Sequence, residues 1–205
     1  MTVPTAHDVA AMLIEEQTAA GRTIDKLQLQ KLLYLVQGAH VAFWGERAFR
    51  EPILAFQHGP VVASVERSYR EAFGDADVDQ PLGGDASRLS HELVDTVRTV
   101  LRHFGTWTGR NLTSHVKKAG SPWHQARGSR PESDVGRDEI SLDAIRSWFT
   151  THGLDPARRR DEVWDATEEE RAAADARRRM HGAHSVLDPF EITASLEHLA
   201  RRSLG

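Results

Sequence analysis

The chain has no cysteine, so disulfides and thiolate-held metals are excluded, and a reducing, cytoplasmic setting is expected. It also lacks long apolar runs, none approaching the roughly 18 to 20 residues that a membrane span requires. The opening stretch, MTVPTAHDVAAMLIEEQ, puts no basic segment before an apolar one, so no signal peptide is expected. There is no excess of positive charge either. The net charge of −4 gives a polyanion no overall attraction and argues against nucleic acid as a partner. No nucleophile elbow, P-loop, dinucleotide fingerprint or HExxH pair is present, and Gly83-Gly84 lacks the flanking strand and helix such motifs need. Eleven histidines are scattered, with only His181 and His184 close together, so neither a metal nor a cofactor is expected. These absences together point away from an enzyme.

What is present reads as helix. The chain has 205 residues, 40% of them apolar, enough for a core without staples. Thr5 is a natural N-cap for a first helix that runs through Val9, Leu13 and Ile14 towards Gly21. The strongest element follows. Asp25 caps it, Gln28 stands where a capping box needs it, and Ile24 and Leu29 form a hydrophobic staple. Leu29, Leu32, Leu33, Val36 and Phe43 then make one stripe, while Leu27, Tyr34 and Val41 make a neighbouring one. A helix apolar on more than one side belongs at the centre of a bundle, and Gly45 ends it.

Pro52 and Ile53-Leu54-Ala55-Phe56 read as an extended segment or short hairpin near residues 52–57. Gly59-Pro60 reads as a turn that opens a helix at Pro60, with Val62, Val65, Tyr69 and Phe73 inward. His58, just ahead of that turn, is placed to satisfy helix-start amides. Residues 75–88 are loop-like. Ser90, Ser121 with Pro122, and Ser141 each cap a later helix, and Arg110 to Lys118 forms a shorter one. Trp44, Trp107, Trp123 and Trp148 accompany apolar-periodic segments and are assigned to the core. The fold class is thus mainly α, a compact helical bundle with a C-terminal helical tail.

The composition changes beyond Gly153. Residues 155–180 are rich in Arg, Glu, Asp and Ala, with Thr167 and Glu170 as a capping box, and too few apolar groups for a separate core. A last helix from Asp188-Pro189 aligns Ile192, Leu196 and Leu199 on one face. Two regions follow, a helical domain over 1–152 and a charged extension over 153–205. Trp164 and the Ile192, Leu196, Leu199 face are the candidate contacts for a protein partner.

One stretch is more specific than its physics. KLQLQKLLYLVQGAHVAFWGERAFREPILAFQHGPVVASVERSY resembles the signature of the Panacea antitoxin family, also described as SocA-like or GepA-like. The resemblance rests on Leu29-Gln30-Lys31-Leu32-Leu33-Tyr34 with Gln37 in the helix, then Phe49, Glu51, Ile53, Ala55 and Phe56. It continues with His58, Gly59, Pro60 and Val61, and downstream with Leu112, His115, Pro122 and Trp123. It extends over roughly residues 5 to 150. Phe56 departs from the family's usual tryptophan, and the interval from His115 to Pro122 is slightly long. The resemblance implies a bacterial antitoxin that binds and neutralises a protein toxin, usually encoded beside it. Two variants are implied as alternatives: an adaptor that delivers the toxin to a protease, and a DNA-binding autoregulator of its operon. Most of the signature residues are expected to hold the scaffold rather than the toxin.

Overall fold

The computed structural model describes residues 3–131 and 133–154. Within them the order is α1 (Ala6–Ala19), α2 (Lys26–Trp44), β1 (Leu54–Phe56), β2 (Gly59–Val61) and α3 (Ala63–Phe73). A 3-10 turn at Ala86–Arg88, α4 (His91–Phe104), α5 (Gly109–Val116), α6 (Pro122–Arg127) and α7 (Leu142–His152) follow. The described part is mainly helical, with a two-stranded antiparallel hairpin. No helix among the described residues is long and apolar enough to cross a membrane. The readings made for residues 155–205, including Trp164, His181, His184, Ile192, Leu196 and Leu199, lie outside the described residues.

The central helix is α2, as its two apolar stripes require. It packs against α1, α3, α4, α5, α7 and β2, and 14 of its 19 residues are buried, so it has no free face along most of its length. The Asp25 carboxylate accepts from the Gln28 backbone N–H at 2.6 Å, and Gly45 ends the helix in the left-handed region at φ 76°. The capping box forms only in part. Instead of turning back to the cap, the Gln28 side-chain amide donates to the Gly105 carbonyl at the end of α4, 3.4 Å away.

At Thr5 the box is complete. The Asp8 N–H donates to the Thr5 hydroxyl, and the Thr5 N–H donates to the Asp8 carboxylate at 2.8 Å. The other Asp8 oxygen accepts from the Asp85 N–H at 2.9 Å, tying the long 75–88 connection to α1. Burial pushes the Asp8 carboxyl up, but these hydrogen bonds outweigh it and hold the group below the usual range. The same connection is pinned at Val78, which is fully buried and exchanges backbone hydrogen bonds with Ile24.

Three readings are corrected. Gly59-Pro60 does not open a helix. Gly59–Val61 is strand β2, the turn is Gln57-His58, and α3 begins at Ala63 behind Val62. His58 accordingly caps no helix; the side chain that satisfies the amide at Val62 comes from Gln30, two elements away. Of the four tryptophans assigned to the core, Trp123 alone is buried. Trp107 and Trp148 are half-buried at its margin, where an indole keeps its N–H near water while its ring packs inward, and Trp44 is half-buried beside His40.

Candidate functional site

A helix at the centre of a bundle should carry no polar side chain without a partner, because a bare one costs several kcal/mol, about 2 to 7 by transfer measurements. Among the polar side chains buried on α2 are Gln30, Lys31 and Gln37. Each reaches a backbone group that secondary structure leaves unpaired. Gln37 Oε1 accepts from the N–H groups of Ala48 and Phe49 at 3.0 and 3.2 Å, fixing the non-helical segment after Gly45. Gln30 Oε1 accepts from the Val62 N–H at 2.8 Å. Lys31 Nζ donates to the Pro60 carbonyl at 2.9 Å.

These last two contacts seat the hairpin. Phe56 pairs with Gly59 around the two-residue turn, and Ala55 pairs with Pro60. By strand alternation Pro60 then turns its nitrogen and its carbonyl away from β1. The missing N–H is harmless there, and the carbonyl finds the Lys31 ammonium. The other side of β1 is closed by residues 135–140, which run beside it. Ala55 N–H donates to Asp138 O, Gln57 N–H to Val135 O and Ile140 N–H to Ile53 O, each at 2.8 Å. The indole N–H of Trp123, on α6, donates to Phe56 O at 2.8 Å. The hairpin is therefore held from α2, α6 and the 135–140 segment together.

Gly59 is required twice over. Its φ is +102°, which a side chain disfavours, and a Cβ there would lie 2.9 Å from Lys31 Cε. Around Trp123 the charges are positive. Lys117 Nζ lies 4.7 Å from the ring centroid, and the Arg127 guanidinium lies 5.9 Å from it. Arg127 is buried and donates to the carbonyls of Asp134 and Pro131 at 2.7 and 2.9 Å, ordering the loop between α6 and residue 135.

Lys31 is 0% exposed and makes no ion pair among the described residues. Burial, with a lesser contribution from the like charge of Lys117, lowers its ammonium from 10.5 to about 7; Asp25 opposes the shift weakly. One turn along, Tyr34 is buried edge-on against Phe149, with ring centroids 5.6 Å apart. Its hydroxyl has no hydrogen-bond partner among the described residues, and burial pushes the phenol up. His115 Nε2 lies 3.0 Å from Leu154 O, and its ring packs on Phe104 and Trp107, so it joins α5 to the end of α7.

The structure brings Lys31, Phe56, His58, Gly59, Pro60, Val61, Pro122 and Trp123 to the hairpin and its seat. Gln37 and His115 work at two other junctions, while Leu32 and Tyr34 pack in the core. Of the residues that carry the resemblance, His58 alone has an exposed side chain. The candidate partner contacts Trp164, Ile192, Leu196 and Leu199 fall outside the described residues. Sequence reasoning quoted Gln30 only as part of the resemblance, without a role, and did not single out Arg127. Gln30 lies within the signature and its amide on a buried face was a usable signal, whereas nothing local marks Arg127 as buried. Among the described residues no group of three His, Asp or Glu side chains converges as a metal site. An open groove of about 370 Å³ between α1 and α4, lined by Met12, Glu15, Glu16, Ala19, Val94 and Arg98 among others, contains none of the signature residues.

No curated protein and no solved structure matches the chain. A family model does, and its span runs from the second turn of α2 through the hairpin to α6, enclosing the side chains that seat the hairpin from both sides. Residues 29–124 match the family described as antitoxin SocA-like, Panacea domain.

Proposed function

We propose that this protein is an antitoxin that neutralises a protein toxin by direct contact, with residues 1–152 as the scaffold and 153–205 supplying or supporting the contact. The Panacea domain over residues 29–124 carries the reading in its general form, a role in a toxin–antitoxin system. The geometry supports the mode of action. The polar signature residues Lys31 and Gln37 are committed to backbone groups, and the result is a rigid framework suited to presenting a surface. A preorganised surface binds with less loss of conformational entropy than a mobile one.

The test is co-expression with the product of the neighbouring open reading frame. Full-length protein should restore growth, and a chain ending at residue 154 should restore it less. Full rescue by the shortened chain would remove the tail from the mechanism. A toxin whose half-life falls sharply when this protein is present would replace inhibition with delivery to a protease.

A further inference from the structure

We infer that the outer edge of residues 135–140 pairs with the same edge of a second copy of this chain, antiparallel and centred on Asp138. The inference is independent of the antitoxin reading and concerns self-association. It rests on main-chain groups left open at this edge and on the order of its charges.

Residues 135–140 run antiparallel beside β1, with Glu139 bridged to Leu54, and so add a third extended segment to the hairpin. The edge on β2 is closed: Lys31 donates to the Pro60 carbonyl, and Gln30 accepts from the Val62 N–H. The opposite edge has no such cover. The bonds from Ala55 N–H to Asp138 O and from Ile140 N–H to Ile53 O flank Glu139, so its own N–H and C=O point away from β1. Neither group makes a hydrogen bond among the described residues. Arg137 lies on the same side of the segment. Exposure alternates here, with Arg137 and Glu139 exposed, Gly136 and Ile140 buried, and Asp138 between. The N–H and C=O of Arg137 are likewise without a hydrogen bond among the described residues. Gly136, at φ 65°, ends the regular pairing, so the open edge is short. Unpaired main-chain groups of this kind are a template for another strand.

The charges decide which strand fits. Arg137 and Glu139 make no ion pair among the described residues. In an antiparallel pair centred on Asp138, Arg137 of each copy falls opposite Glu139 of the other. The outward-facing residues then form hydrogen-bonded pairs, each exchanging both of its main-chain bonds. Both cross-strand neighbours are of opposite charge, which favours this pairing. The next register in either direction sets Arg137 against Arg137 or Glu139 against Glu139, and a parallel pair in register sets like against like at both positions. Asp138 meets its counterpart on the axis, but on the other face, where Arg130 lies 2.7 Å from its carboxylate and offsets the like charge. An unrelated strand has no reason to present the same charges in reverse order, whereas a second copy does so by symmetry.

The experiment is sedimentation velocity of the full-length protein from about 1 to 500 μM, the span in which so short a contact associates. Wild type should pass from monomer to dimer, and amide hydrogen exchange at Arg137 and Glu139 should slow as the dimer forms. Arg137→Glu and Glu139→Arg alter exposed side chains and should leave the unfolding temperature unaltered. Each should weaken self-association by about tenfold. Mixed in equal amounts, the two variants should associate with each other, because each supplies the charge that the other lacks. The double variant, Arg137→Glu with Glu139→Arg, should regain the wild-type association. A wild type that stays monomeric across this range would overturn the inference. So would a dimer that neither reversal weakens, or one that mixing does not restore, since the contact would then lie elsewhere. A monomeric wild type whose binding to the product of the neighbouring open reading frame is lost in both single variants would assign the edge to a partner protein and overturn the second copy as its occupant.

Discussion

Replacing Lys31 with methionine should stabilise this protein near neutral pH and abolish a pH dependence that the wild type shows. The side chain is fully buried, and its ammonium titrates near 7 rather than at 10.5. The sign follows from proton counts. Between pH 7 and 10.5 the unfolded chain holds a proton on Lys31 that the folded chain has released, so wild-type stability rises with pH across this window. The cost of the buried charge is complete below pH 7 and vanishes above 10.5. At 1.36 kcal/mol per unit, a displacement of this size is worth roughly 5 kcal/mol. At pH 9.5 only roughly 1 to 2 kcal/mol of it remains by the same relation. Methionine keeps the length and the apolar stem but leaves the Pro60 carbonyl without its donor, a loss of about 1 to 3 kcal/mol. The variant should therefore be more stable by about 2 to 4 kcal/mol at pH 6.5, and equal or less stable at pH 9.5. Urea unfolding at both pH values, compared as the difference between the two proteins, cancels every other titrating group. A difference that stays constant between pH 6.5 and 9.5 would refute the reasoning, because Lys31 would then keep its ordinary affinity for a proton in the fold.

Two further outcomes follow from the same helix. Gln37→Leu strands the N–H groups of Ala48 and Phe49, both fully buried, and should cost roughly 2 to 5 kcal/mol in urea unfolding; a cost below about 1 kcal/mol would mean that the segment after Gly45 finds other acceptors. Gly38→Ala should destabilise by about 1 to 3 kcal/mol despite alanine's better helix propensity. A Cβ at position 38 would overlap the Phe149 ring. Phe149→Leu in the same chain should recover part of that loss, and a more stable Gly38→Ala protein would contradict the close approach of α2 and α7.

Much of the scaffold was legible because its signals are local. Thr5, Asp25, Ser90, Ser121 and Ser141 all cap the helices their positions announced. A cap is a contact between residues three apart, so it survives any tertiary arrangement. The two apolar stripes of α2 likewise required a central helix, since no single neighbour could cover both. The signature residues could be quoted from the chain alone, together with the family they resemble.

The roles of those residues were another matter. Gly59-Pro60 matched a helix start by its local chemistry, and became a strand because Lys31 and Gln30 offered partners to Pro60 and Val62 across about 30 residues of chain. Trp44, Trp107 and Trp148 had the same apolar surroundings in sequence as Trp123. Only Trp123 is buried, because the Phe56 carbonyl on a distant strand accepts its N–H. Gln28 had the spacing for a capping box, and Gly105 at the end of α4 claimed its amide instead. The sequence by itself determined the helices, their caps and the central place of α2, because propensity, capping and periodicity act within a few residues. Only the tertiary structure decided which polar side chains seat the hairpin, and that His58 alone of the signature faces outward, because a buried donor or acceptor takes whichever partner the packing brings within reach.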